Sequence, residues 1–190
     1  MPRGTRQDLT SPFRPLGFQA NFGRMSEKSI PVEAAEAARP GIGVSVAVWR
    51  DDRVLLVQRA RAPFAGVWSL PGGRVELGEP SLLSLEREIA EELAMEAEIG
   101  PLIATSESFY RREAQDFHEL GFFYPAELTG QGPNGQSPWL VRQDEGHDLH
   151  FYWVPLAGDA LESMTLLPAW LPDFLRNMPD APTHIVDDAR

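Results

Sequence analysis

Valine-rich residues 42–49 and a second short apolar run, residues 53–58, flank Asp51-Asp52, a pair that favours turns. The pattern predicts a β-hairpin. A loop with Pro63 and Gly66 follows over residues 60–68, and a short strand leads into Pro71-Gly72-Gly73. From Pro80 or Ser81 the period changes. Leu82, Leu85, Ile89 and Leu93 recur at spacings of 3, 4 and 4, the stripe of an amphipathic helix that ends near Leu93. Residues 98–110 and 119–128 are strand-like, with polar residues 111–116 between them. Residues 129–147 carry three glycines and a proline within six positions and read as a long mobile loop. Residues 149–154 form another strand. A last short helix spans roughly 169–177, with Pro172 tolerable only in its first turn. Hairpins mixed with two helices indicate a layered α+β domain.

The first 24 residues hold four arginines, one acid and three prolines, without any period. Residues 1–38 therefore read as a disordered or loosely docked arm, residues 39–178 as the domain, and residues 179–190 as a loose tail. The Arg-rich, acid-poor start also has the composition of a targeting peptide, with Met25 as a second candidate start.

Charge narrows the function. Seventeen basic against 28 acidic residues leave a net charge of -11, which repels nucleic-acid backbones. No apolar run approaches the ~18 residues of a membrane span. The absence of cysteine removes disulfides, thiolate catalysis and cysteine metal sites, and it fits a reducing, cytoplasmic setting. Lys28 is the single lysine. Cationic contacts to a phosphate therefore fall almost wholly to arginine, a planar bidentate donor.

The chemistry concentrates in residues 73–95. Glu88, Glu91 and Glu92 stand at i, i+3 and i+4 and share one narrow helix face beside the apolar stripe. Glu76 and Glu79 lie just upstream. Two carboxylates ~5 Å apart at an effective dielectric of ~20 repel by ~3 kcal/mol. Arg87, at i−4 from Glu91, offsets part of this. Either water solvates the face or a cation joins it. Oxygen-only ligands favour Mg²⁺ or Mn²⁺. A solvated acidic face is the plainer reading of the helix alone. The glycine pair before it changes the balance, because it lets backbone approach a ligand closely.

These residues resemble the Nudix hydrolase signature. Gly73, Glu79, Arg87, Glu88, Ile89, Glu91, Glu92 and Met95 all fall in register, six of them at identity positions. A chance match at ordinary residue usage is on the order of one in ten million per starting position. One position departs: Ala94 stands where the family has glycine, at a helix end where a left-handed residue is often wanted.

The resemblance implies a Nudix-type α/β/α sandwich with a mixed sheet. It also implies a Mg²⁺- or Mn²⁺-dependent hydrolysis of a nucleoside diphosphate linked to another group, first ADP-ribose or a nucleotide sugar, then a nucleoside triphosphate. A non-catalytic nucleotide-binding module of the same fold is the rival class. On this resemblance Glu88, Glu91 and Glu92 are the metal ligands and the Gly72 carbonyl joins them. Gly73 and Glu79 support the set, and Arg87 orients the glutamates. The general base is Glu88 or a later loop acid, for which Glu145 and Asp148 are the candidates. Arg59 and Arg61 are candidate phosphate contacts, and Trp68 and Tyr110 candidate base contacts. The implied partner is a small nucleotide, and homodimers are common in the family.

Overall fold

The structure is a computed structural model that describes residues 39–61, 64–112, 115–129, 138–144 and 147–190. The expected arm, residues 1–38 with Met25, lies outside them, as do residues 130–137 and Glu145 of the expected loop. Among the described residues no helix is long and apolar enough to cross a membrane.

Strands β1 (Gly41–Arg50) and β2 (Arg53–Gln58) form the hairpin that the pattern predicts, with Asp51 in a left-handed turn conformation. The other strands are β3 (Trp68–Ser69), β4 (Glu96–Ile99), β5 (Ala104–Arg112), β6 (Gln115–Thr129), β7 (Leu140–Asp144), β8 (His147–Pro155) and β9 (Thr183–Ala189). Helix α1 spans Ser81–Leu93 and helix α2 spans Leu171–Arg176. The strand order is β7-β8-β2-β1-β6-β5-β9, with β3 on β2 and β4 on β6. The β1–β6 and β5–β9 pairs are parallel and the rest antiparallel, so the sheet is mixed.

Both faces of the central strands are covered, and this explains their unbroken apolar runs. Val44, Val46, Val48, Leu55 and Val57 pack with Leu85, Ile89 and Leu93 of α1. Ala47, Val54 and Leu56 face the other way, onto Leu161, Leu166 and Leu171, Phe174 and Leu175 of α2. The result is the expected α/β/α sandwich.

The hairpin opens away from its turn. β1 and β2 pair only at Trp49–Val54 and Arg50–Arg53. Beyond these pairs they diverge, and residues 71–75 fill the gap. Val46 N–H donates to the Pro71 carbonyl, Val44 N–H to the Gly73 carbonyl, and Val75 N–H to the Ile42 carbonyl, each at 2.9 Å. The glycine turn is thereby hydrogen-bonded along the β1 edge.

Several elements differ from the sequence reading. Leu82 is 46% exposed, and Ser84 takes its place in the buried face of α1. Residues 98–110 are not one strand: the Gly100-Pro101 pair separates β4 from β5, and β4 pairs with the far end of β6. The expected loop 129–147 contains β7, which pairs along β8. The C-terminal tail is not loose throughout, since Thr183–Ala189 form β9 along β5. Pro179 and Pro182 just before it, and the Asp187-Asp188 pair within it, disguise that segment. What orders it is the edge of β5, whose backbone groups would otherwise lack strand partners.

Helix α1 ends as the departure at position 94 anticipates. Ala94 adopts φ 50°, ψ 41° and donates its N–H to the Ala90 carbonyl at 3.0 Å. An L-residue with a Cβ is strained there, and glycine is not. Ala94→Gly should therefore raise stability by about 0.5–1 kcal/mol, the strain relieved less the added freedom of the unfolded chain. Urea unfolding measures it: the midpoint should rise at unchanged slope, and a lowered midpoint would contradict the cap assignment.

Candidate functional site

Helix α1 sits over the glycine turn because its apolar stripe packs on β1, and the acidic face beside that stripe meets residues 71–74. Gly72 has φ +136°, and a Cβ there would overlap the Val44 carbonyl. A Cβ on Gly73 would overlap the Glu88 carboxylate. The β1 backbone thus requires glycine at position 72, and a side chain at position 73 would push the Glu88 carboxylate aside.

Arg87 organises the acids. Its Nε and Nη2 donate to the two carboxylate oxygens of Glu79 at 3.1 and 3.0 Å, a bidentate pair. Nη1 donates to Glu88 Oε1 at 2.8 Å and to Glu91 Oε2 at 3.2 Å. Nη2 also reaches the Arg74 carbonyl and Ser84 Oγ, at 3.0 and 3.2 Å. Arg87 thus touches Glu79, Glu88 and Glu91 at once, the geometry an orienting residue needs. Ser84 has no place in the sequence reading of the site. Its hydroxyl donates to the Arg74 carbonyl at 3.1 Å, which ties the helix to the turn. The available signal is spacing: Ser84 stands four residues before Glu88, on the acidic side of the helix.

The glutamates divide by depth. The side chains of Glu88 and Glu92 are 14% and 10% exposed, whereas that of Glu91 is 62% exposed. Glu92 Oε2 accepts the Gly72 N–H at 3.0 Å, and its Oε1 faces Arg59 Nη1 at 3.5 Å. Burial pushes the Glu88 carboxyl above its usual range, against the opposing pull of Arg87. Hydrogen bonding from Arg87 holds Glu79 down at about 2.

Among the described residues no three carboxylate or imidazole groups are gathered as a finished metal cage. The arginines explain this: Arg87 draws Glu88 and Glu91, and Arg59 draws Glu92. The donor set nevertheless fits a hard cation. It consists of oxygens only, and the Gly72 carbonyl and Glu92 already share one cation, the Arg59 guanidinium.

The remaining candidates scatter. Arg59 lies at the glycine turn. Arg61 is exposed in the adjoining loop. Trp68 packs edge-on against Tyr152 at 5.1 Å, with the α2 cluster on the sheet face opposite α1. Tyr110 stacks on Phe117 at 5.0 Å near the β5–β6 turn, and Phe64 meets both rings edge-on. Asp148 is exposed on β8, in register with Gln143 of β7.

Known proteins resemble this chain in sequence and fold. Residues 39–172 match the family model described as the NUDIX domain. The chain is similar to the CTP pyrophosphohydrolase of Escherichia coli (strain K12), 41% identical over 63 residues, 33% of this chain and 47% of that protein. It is similar to the ADP-ribose pyrophosphatase of Methanocaldococcus jannaschii, 35% identical over 69 residues, 36% of this chain and 41% of that protein. The chain thus spans less than half the length of these curated relatives. Among solved structures it is similar to a MutT NUDIX hydrolase from Burkholderia pseudomallei, with TM-score 0.51 and 32% identity. That likeness covers 62% of this chain and 84% of the other.

The bond between Arg87 and Glu79 has a pH signature. Glu79 ionises at about 2 in the folded protein against an ordinary 4.5. Its stabilising contribution is complete above 4.5 and is lost as pH falls toward 2. Glu79→Gln should lower stability at neutral pH and flatten the pH dependence of the urea midpoint over that interval. An unchanged acid limb would show that Glu79 is not held by Arg87.

Proposed function

The chain belongs to the Nudix family, and from that premise we propose that it hydrolyses the pyrophosphate bond of a nucleoside diphosphate linked to another group. The observation that carries the reading is the Arg87 hydrogen-bond set, which locks Glu79, Glu88 and Glu91 in place while Glu92 and Glu88 abut the glycine turn. An acidic face that only needed solvation would not need a polydentate arginine, nor be held against a glycine turn.

Glu88, Glu92 and the Gly72 carbonyl would hold a divalent cation, Mg²⁺ or Mn²⁺, with the exposed Glu91 as the third carboxylate. Such a cation, when bound, supplies positive charge to the pyrophosphate oxygens and makes water a better nucleophile. Arg87 keeps the glutamates oriented throughout, since its bonds to Glu79 and the Arg74 carbonyl do not involve the cation. Glu88, tied to Arg87 through Oε1, is also the proposed proton acceptor for the attacking water. Glu145 and Asp148 remain the alternatives for that role. Arg59 and Arg61 stand close to the turn along the chain and are the proposed phosphate contacts. Tyr110 is the proposed base contact; Trp68, packed on the other face, is not retained.

ADP-ribose or a nucleotide sugar is the first substrate proposed, in keeping with the archaeal relative. A nucleoside triphosphate is the second, favoured by the E. coli relative named for CTP. The purified chain with Mg²⁺ should release AMP and ribose 5-phosphate from ADP-ribose, or a monophosphate and pyrophosphate from a triphosphate. EDTA should abolish the release and excess Mg²⁺ restore it. Glu88→Gln and Glu92→Gln should each lower turnover on the order of 10²-fold or more, with an unchanged circular dichroism spectrum. Near-normal turnover in either variant would remove the ligand assignment. Mg²⁺ binding without release from any substrate would make the chain a nucleotide-binding module instead.

A further inference from the structure

Arg59 follows the last residue of β2, and its own backbone closes the loop ahead of the glycine turn. Its N–H donates to the Val67 carbonyl, and its carbonyl accepts the Gly66 N–H, both at 2.8 Å. The side chain then spans three separate segments. Nε donates to Ser69 Oγ on β3 at 3.1 Å, Nη2 to the Gly72 carbonyl at 3.1 Å, and Nη1 to Glu92 Oε1 on α1 at 3.5 Å. Two of these three acceptors belong to the proposed ligand set of the divalent cation. A guanidinium is as cationic as the site requires, and it is pre-shaped to serve several oxygens at once.

We propose that Arg59 is a resident counter-cation of the site: it holds the Gly72 carbonyl and Glu92 in place, and a divalent cation must displace it. The inference rests on the reading of Glu88, Glu92 and Gly72 as metal ligands. A guanidinium that already holds both the carbonyl and the carboxylate repels an arriving cation at short range, and in a half-buried place that repulsion is weakly screened. Displacement leaves Arg59 charged, still anchored by its backbone beside the glycine turn, and without its two oxygen partners there. Its guanidinium is then available to the oxygens of an incoming pyrophosphate. Metal binding and the readiness of Arg59 for phosphate become one coupled event, and by linkage each favours the other.

A plain strut would behave differently. If Arg59 only braced the loop, the metal-bound site would need it as much as the metal-free one. Its removal would then leave metal affinity unchanged or reduce it. A displaced cation predicts the reverse.

The test needs no substrate. Mg²⁺ is titrated calorimetrically into the full chain, into Arg59→Met, and into Arg53→Met as a control for loss of one positive charge. Arg53 is exposed on the far end of β2, beside Asp52. Arg59→Met should bind Mg²⁺ about five- to tenfold more tightly, as expected if the guanidinium occupies the site roughly 80–90% of the time. Arg53→Met should stay within about twofold. In the unaltered chain, the Arg59 Nε–Hε resonance should shift on Mg²⁺ addition, an observation that no folding defect in a variant can compromise. Arg59→Lys, with one compact ammonium in place of the fork, should fall between the two affinities. Unchanged or weaker Mg²⁺ binding in Arg59→Met, together with an unmoved Arg59 resonance, overturns the displacement and leaves the metal reading intact. Failure of the unaltered chain to bind Mg²⁺ at all overturns the metal reading and the displacement with it.

Discussion

The site depends on a strip of backbone inserted between two strands that part. β1 and β2 meet only beside their turn, and residues 71–75 supply the hydrogen bonds that the rest of the β1 edge needs. A buried strand edge without partners is costly, so the insertion is fixed as firmly as a strand would be. Glycine at position 72 then follows from space alone, and glycine at 73 leaves the Glu88 carboxylate where it is. One Cβ would strike β1, and the other would strike the helix carboxylate. Once the strip is in place, α1 has one seat. Leu85, Ile89 and Leu93 enter the core, and Glu88 and Glu92 come down on the turn.

Bringing acids together in this way demands positive charge, and two arginines supply it by different means. Arg87 is embedded in its acceptors: a bidentate carboxylate, two further glutamates, a carbonyl and a hydroxyl surround it. Its charge is fixed, since those partners raise its proton affinity further. Arg59 has fewer partners, and two of them lie on the proposed cation site. One arginine therefore serves as scaffold, while the other stands where a metal is expected. A chain with sixteen arginines and one lysine is suited to this division, because planar forks can bind several oxygens that a point charge would serve singly.

The acidic helix, its register and the flanking glycine pair are legible without coordinates, since all lie within about two dozen residues and obey local periodicity. The hairpin is legible for the same reason. Ser84 is harder to place, because its hydroxyl works toward the Arg74 carbonyl, a partner that periodicity does not name. The aromatic candidates show the limit clearly. Trp68 and Tyr110 each look able to meet a base, yet Trp68 belongs to the face opposite α1. A two-residue strand gives no usable alternation from which to read that side.

By itself the sequence determined the family, the helix with its three glutamates, and the need for positive charge beside them. Those properties arise from residue types at fixed local spacing. Only the tertiary structure decided that β9 closes the β5 edge, that β7 lies inside an apparent loop, and that Arg59 sits on Gly72 and Glu92. Each of these is a pairing between segments that local periodicity does not connect. Such pairings are selected by which backbone edges and charged groups would otherwise go without partners, a property of the assembled sheet and of no local pattern.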